Sequence, residues 1–452
     1  MGFVGGGGKG GKMCVEVKQG GGTCMLELDG RTLTFEKFRE CCLEPNVPAV
    51  IRCAVPECET GSKEGFVSCL ERMTSRLAPM SLIDAYGEGH HVPTVEFMTG
   101  TTSDSDQFEY MECRMRPLGE VMECWRRKDG VLYLKDWHMQ LECESQGRAT
   151  ERTSVEKKAV IDGYHCIVHG DGLYQVPEYL GHDWMDDFCR CLGGGDANYC
   201  HFGDTESDYR FAYIGPPSSW TPLHFDVFGT YSWSLNVCGE KLWFFPSPEG
   251  NQRLLETSLY GLMLPVDIRT TTGAELCAVL QRPGDLVFVP SGYLHQVHNV
   301  SGPRFLLPPK NILRPDDPAN PKKAKVLDND DTGSVSLVIS INHNWCNEWC
   351  VERMVKAFCR DANRLQRLLT EEDRVLLFGE DCTAWHKHVE NLLIGGTNWN
   401  FACIRSFLKH RLACLSIQND GKGAEVGLRR LLKKCLAEVD AVELRITHTC
   451  GS

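Results

Sequence analysis

The chain has 452 residues, 42% of them hydrophobic and 24% charged, with a formal net charge of −13. That length holds roughly two or three domains, and the negative balance argues against non-specific nucleic-acid binding, which needs clustered Lys and Arg. No apolar run approaches the ~18 residues of a membrane span, and the opening MGFVGGGGKGGKM lacks the continuous apolar stretch of a secretory signal. The 24 cysteines are scattered without a CxxC pair, the closest being Cys41-Cys42, Cys189-x-Cys191 and Cys346-xxx-Cys350. Reduced structural thiols are therefore expected, in a cytoplasmic or alternatively nuclear protein.

In chain order, residues 1–30 are glycine-rich without periodicity and read as a flexible tail. Residues 31–175 read as an N-terminal α+β region. TLTFEKFRECCL sets Leu33, Phe35, Phe38, Cys42 and Leu43 on a helical stripe, VPAVIR (47–52) is a buried strand, and VSCLERMTSRLA (67–78) is a second amphipathic helix. VPTVEFM (92–98) is strand-like, PLGEVMECWRR (117–127) starts with proline at a first helical turn, and GVLYLKDWHM (130–139) returns to strand. Residues 141–172 are polar and irregular and read as a surface insertion.

Residues 176–350 make the main β region. A helix is expected over 177–192, with Leu180, Trp184, Phe188 and Cys191 on one face, before DYRFAYIGPPSSW (208–220) enters the strands. SWSLNVCGEKLWFFP carries a turn signal at Cys238-Gly239 between two apolar runs, a hairpin pattern. The Pro-, Asp- and Lys-rich stretch 301–334 predicts a surface loop, and VSLVISINHNW (335–345) closes the β region. Residues 351–452 repeat apolar positions at three- and four-residue steps, as helices do that pack on the β domain or on another subunit, a homodimer in the latter case.

The β region also carries metal-binding chemistry. His224 and Asp226 lie two apart, so on a strand they project to one side while Phe225 packs behind. His295, in GDLVFVPSGYLHQVHN (284–299), brings a third ligand from another strand. Two imidazoles and one carboxylate with open positions suit non-haem Fe(II), and hydrolytic zinc fits the same donors. His298 competes as a ligand, but alternation turns it away from His295. Lys241 is a lone cation amid LNVCGEKLWFF, costly to bury unless it meets an anion. A carboxylate co-substrate satisfies it; a surface turn beside Gly239 is the plainer reading.

HFD (224–226), Lys241 and PSGYLHQVHN (290–299) together resemble the JmjC (jumonji C) family of Fe(II)- and 2-oxoglutarate-dependent oxygenases. YLKDWH (133–138), DYRFAYIGP (208–216), SWSLNVCGEK (232–241) and SINHNW (340–345) extend the resemblance from about residue 130 to 350. It implies a mainly β fold with α elements: a double-stranded β-helix (jelly-roll, cupin-like) core with N-terminal α+β elements and a C-terminal helical region. It implies His224, Asp226 and His295 as iron ligands, and Lys241 as partner of the distal carboxylate of 2-oxoglutarate. Thr221 falls on a hydroxyl position that helps hold that carboxylate, Tyr133 on an active-site tyrosine, and Asn342 and Asn344 on polar positions near the co-substrate. Trp220, Trp233 and Trp345 are expected in the core. The implied cofactors are Fe(II), 2-oxoglutarate and O2, and the implied activity is protein hydroxylation, with one branch of the family pointing to a lysine of a translation termination factor. Demethylation of histone arginine or lysine uses the same iron chemistry and is the alternative. A non-catalytic cupin-type binding protein is the reading from another class.

Overall fold

Apolar residues at alternate positions fix which face of each strand is buried, and the resulting stretches pair into two main sheets in the computed structural model. The structure describes residues 25–54, 67–101, 107–128, 131–143, 157–161, 164–168, 174, 176–192, 208–259, 264–271, 275–308, 333–369, 371–397, 399–417 and 423–448. The strands are β1 (Leu26–Asp29), β2 (Ala49–Arg52), β3 (His91–Thr101), β4 (Gln107–Pro117), β5 (Leu132–Trp137), β6 (Lys157–Ile161), β7 (Tyr164–Val168), β8 (Arg210–Gly215) and β9 (Trp220–His224), followed by β10 (Tyr231–Cys238), β11 (Glu240–Pro246), β12 (Leu276–Gln281), β13 (Leu286–Val289), β14 (His295–Ser301), β15 (Arg304–Leu306), β16 (Ser334–Ser336) and β17 (Val338–Trp345).

The larger sheet runs β1-β2-β13-β10-β17-β8-β5-β3-β4 and the smaller β12-β11-β14-β9. Val50, Val287 and Val289 of the larger sheet share one buried cluster with Trp243, Phe245 and Val297 of the smaller, so the two face each other. This is the mainly β core with α elements that the resemblance implied, built as two opposed sheets, with no closed barrel among the described residues. Strands from the N-terminal region and from the main β region lie in the same larger sheet.

β10 shows how the sequence sets the interior. Trp233, Leu235 and Val237 pack outward in a core that includes Phe38, Met73, Phe358, Phe407 and Leu432. Ser232, Ser234 and Asn236 therefore turn to the opposite face. A one-residue slip would exchange the two rows and expose side chains worth roughly 1.5–3 kcal/mol each. The outward apolar row thus fixes the inward polar one.

Helices Val351–Leu368, Phe401–Ile417 and Gly423–His448 supply much of that outer layer. The C-terminal helical region accordingly packs on the β core. Arg411 ties them further: its guanidinium lies 4.6 Å over Trp184 and meets Asp187 Oδ2 at 2.5 Å. On the far side of the smaller sheet, Leu223, Phe244 and Leu294 pack with Leu254 and Leu255 of helix Pro248–Leu259. No helix among the described residues is long and apolar enough to cross a membrane.

Several expectations need correction. Cys238-Gly239 does not close a hairpin: β10 pairs with β13 and β17, whereas β11 pairs with β12 and β14. The chain changes sheets there. Gly239 has φ +76°, and a Cβ would sit 2.6 Å from the Ser301 carbonyl oxygen, so only glycine makes the crossing without strain. The segment 177–192 is a 3-10 turn (Glu178–Leu180) and then a helix (Trp184–Leu192), because Gly181 at φ +80° breaks the run. Pro117 ends β4 and sits before the helix Leu118–Arg127 rather than in its first turn. Within 141–172, β6 and β7 pair as a ribbon, and within 301–334, β15 pairs with β16. Residues 26–29 of the expected tail form β1, paired with β2, while residues 1–24, residues 309–332 and Cys191's side chain lie outside what is described.

Candidate metal centre

β9 and β14 run antiparallel with His224 directly opposite His295. β9 ends at His224, but the backbone stays extended to Asp226 (φ −67°, ψ 152°), so alternation continues past the last ladder residue. Ligand atoms of His224, Asp226 and His295 all lie within 4.8 Å of one another, and the two imidazole centroids are 4.1 Å apart. Phe225 packs away, with Leu223 and Phe244.

Hydrogen bonds set how each donor is presented. His224 Nδ1 contacts the Pro222 carbonyl at 2.8 Å and His295 Nδ1 the Tyr293 carbonyl at 3.1 Å. A carbonyl only accepts, so both Nδ1 atoms carry the proton and both Nε2 lone pairs are left for a metal. Burial, and next the adjacent His295, lower the His224 pKa to about 3, keeping the ring neutral as a ligand must be. Ser232 Oγ donates to Asp226 Oδ2 at 2.6 Å and leaves Oδ1 for the metal. Trp243 stacks 5.7 Å from the His295 ring and Phe245 stands 6.1 Å from it. These donors fit Fe(II) with open positions. His298 is not among them: it stacks on half-buried Trp220 at 5.0 Å.

Lys241 enters the same interior from β11. It is 1% exposed, and its Nζ donates to Ser340 Oγ at 2.6 Å and lies 3.5 Å from the Tyr133 hydroxyl, both on the larger sheet. Among the described residues it makes no ion pair. Burial, with a smaller contribution from Lys135, lowers its pKa to about 7. A buried ammonium lacking an anion is the complement of a bound carboxylate.

The remaining candidates fall into two groups. Tyr133 and Asn342 join the lysine end, since Asn342 Oδ1 accepts from Ser340 at 3.3 Å and from Ser234 at 3.0 Å. Asn344 lies further along β17, opposite Ser232, and donates to Thr230 Oγ1 at 3.1 Å. Thr221 sits on β9 opposite Val297, half-buried, and no hydrogen bond joins it to Lys241 among the described residues. Trp233 and Trp345 are core, as expected, whereas Trp220 is only half-buried. Ser232, Ser234, Ser340 and Trp243 escaped the sequence reading. The period-two polar pattern of SWSLN and SINHN, inside otherwise apolar strands, was the available signal.

Residues 211–302 match the family model described as JmjC domain, hydroxylase. That stretch is similar to a JmjC domain. The matched segment holds His224, Asp226, Lys241 and His295, while Tyr133, Asn342 and Asn344 come from strands outside it. The chain is 27% identical over 314 residues to the 2-oxoglutarate and iron-dependent oxygenase JMJD4 of Danio rerio, covering 66% of this chain and 56% of that protein. Its Mus musculus counterpart is 28% identical over 292 residues, 62% of this chain and 50% of the relative. The arginine-specific demethylase JMJ20 of Arabidopsis thaliana is 30% identical over 266 residues, 55% of this chain and 44% of the relative. The chain thus spans about half the length of these relatives.

Proposed function

We propose that this chain is an Fe(II)- and 2-oxoglutarate-dependent protein oxygenase that hydroxylates a lysine side chain, with a translation termination factor as substrate, in the cytoplasm. The observation that carries the oxygenase reading is the pairing of a His2Asp donor set with a buried lysine that has no anionic partner among the described residues. The lysine-hydroxylase reading draws on the sequence blocks shared with one branch of the family.

Bound iron, with 2-oxoglutarate and O2, supplies an oxidant able to hydroxylate an unactivated C–H bond. The chain's own residues prepare the place for it. The Pro222 and Tyr293 carbonyls orient the imidazoles, and Ser232 holds Asp226. Lys241, Ser340 and Tyr133 receive the distal carboxylate of the co-substrate. Trp243 and Phe245 line the ligand side with apolar surface and exclude water.

Similarity to an arginine-specific demethylase favours a second reading, removal of a methyl group from arginine. One experiment separates them: incubation of candidate proteins with the enzyme, Fe(II), ascorbate and 2-oxoglutarate, followed by mass spectrometry. Gain of one oxygen on a lysine supports hydroxylation, and loss of one methyl supports demethylation. No succinate and no mass change with any substrate would refute the oxygenase reading.

A further inference from the structure

Lys135 and Asp136 stand beside the metal centre with no part in holding iron or co-substrate. β5 and β8 pair at Leu134↔Ile214 and again at Trp137↔Ala212, so Lys135 and Asp136 together oppose Tyr213 alone. That is a β-bulge, a device that re-aims side chains. Asp136 has φ +64°, a left-handed conformation uncommon outside glycine but tolerated by Asp and Asn.

The bulge directs both side chains inward. Asp136 accepts from the Tyr213 hydroxyl at 2.6 Å and from Lys135 Nζ at 2.9 Å. The same Tyr213 ring lies 5.6 Å from Lys241 Nζ and 6.0 Å from the Tyr133 ring. Lys135 and Asp136 each stand close enough to act electrostatically on His224. Yet 48% of the Asp136 side chain is exposed, so this carboxylate is open to solvent beside the ligands. A carboxylate has about four acceptor positions, and its two internal partners leave room for another donor.

We propose that Asp136 receives the cationic head of the substrate side chain, an ammonium or guanidinium, which makes the substrate class a basic residue. Resting on the oxygenase reading above, this names what that site selects. Tyr213 is a positioning residue that fixes the carboxylate. Lys135 stands where the substrate cation docks and pairs with Asp136 in its absence.

The test uses the full chain loaded with Mn(II) and 2-oxoglutarate, titrated with short peptides that differ only in a central Lys, Arg, Gln or norleucine. The wild type should favour Lys or Arg over Gln and norleucine by on the order of tenfold, the lower end of what a hydrogen bond to a charged group contributes. Asp136→Asn tolerates the same backbone and can still accept from Tyr213, so it should fold but lose the preference. Asp136→Glu should retain part of it. Lys135→Gln, which removes the internal competitor, should strengthen it, whereas a merely structural ion pair would make both Lys135→Gln and Asp136→Asn lose binding. The proposal is overturned if the wild type shows no preference, if Asp136→Asn keeps it, or if Asp136→Asn weakens 2-oxoglutarate binding as much as peptide binding. Succinate formation by the Fe(II)-loaded wild type judges the oxygenase reading separately: its absence alongside an intact, Asp136-dependent preference sinks that reading and leaves the cation site standing.

Discussion

Replacing Lys241 with methionine should move stability and co-substrate binding in opposite directions. Burial lowers the ammonium's pKa from 10.5 to about 7, which at about 1.36 kcal/mol per pH unit corresponds to a cost on the order of 5 kcal/mol for keeping the charge inside. Methionine has similar length and no charge. After allowing for the lost Ser340 hydrogen bond and imperfect packing, the metal-free variant should be about 1–3 kcal/mol more stable below pH 7. Between pH 7 and 10.5 the unfolded wild-type lysine holds its proton while the folded one releases it. Wild-type stability should therefore rise with pH, by up to about 1.4 kcal/mol per unit, and the variant's advantage should fade. Co-substrate binding runs the other way. A carboxylate favours the ammonium, so wild-type affinity for 2-oxoglutarate should fall about tenfold per unit above roughly pH 7. The variant should lose about 10²–10³-fold at neutral pH, the equivalent of breaking a buried charge pair. Thermal denaturation of the metal-free proteins at pH 6.5 and 9, and titration of the Mn(II)-loaded proteins with 2-oxoglutarate at both values, measure the two effects. A variant less stable than wild type at pH 6.5, or wild-type affinity indifferent to pH, would refute the reasoning.

His224→Ala should abolish metal-dependent 2-oxoglutarate turnover while leaving the circular dichroism spectrum unchanged, because the ring's role is ligation; unaltered succinate output would rule it out as a ligand. Ser232→Ala frees Asp226 Oδ2, and metal affinity measured by competition with a chelating dye should drop about 10–100-fold. Gly239→Ala forces a Cβ to 2.6 Å from the Ser301 carbonyl at φ +76°; a fall of at least about 1–3 kcal/mol in unfolding free energy is expected, and a neutral result would refute the strained sheet crossing.

The candidate donor set was legible because alternation on strands is a local property. His224 and Asp226 needed only a period of two, and His295 needed a buried run with turns at both ends. Lys241 was legible as an anomaly, a charge where the pattern demanded burial. What sequence concealed is pairing. Cys238-Gly239 carries the same turn signal whether the strands around it join each other or part to different sheets, and the outcome depended on β12, β13, β14 and β17, all further along the chain. The bulge was hidden for a related reason. LYLKDW reads as an uninterrupted strand, and the extra residue exists only relative to β8, so nothing in it marked Lys135 and Asp136 as facing inward.

His224, His295 and Lys241 all sit on the smaller sheet, and the inward polar row of the larger sheet joins them into one centre from the opposite side. Ser232 at one end grips Asp226, and at the other Ser340 grips Lys241, with Ser234 and Asn342 hydrogen-bonded between them. Such a row in a sandwich interior is destabilising unless every member has a partner. Its spacing is fixed by the β10–β17 register, which pairs Ser232 with Asn344 and Ser234 with Asn342. That register is held in turn by Trp233, Leu235, Ile339 and Ile341 on the outward face, packed under the helices. The separation of metal and carboxylate pocket therefore depends on a core that touches neither. A substitution such as Ile341→Ala should raise the 2-oxoglutarate requirement together with its loss of stability, whereas a surface substitution of equal chemical size should change neither.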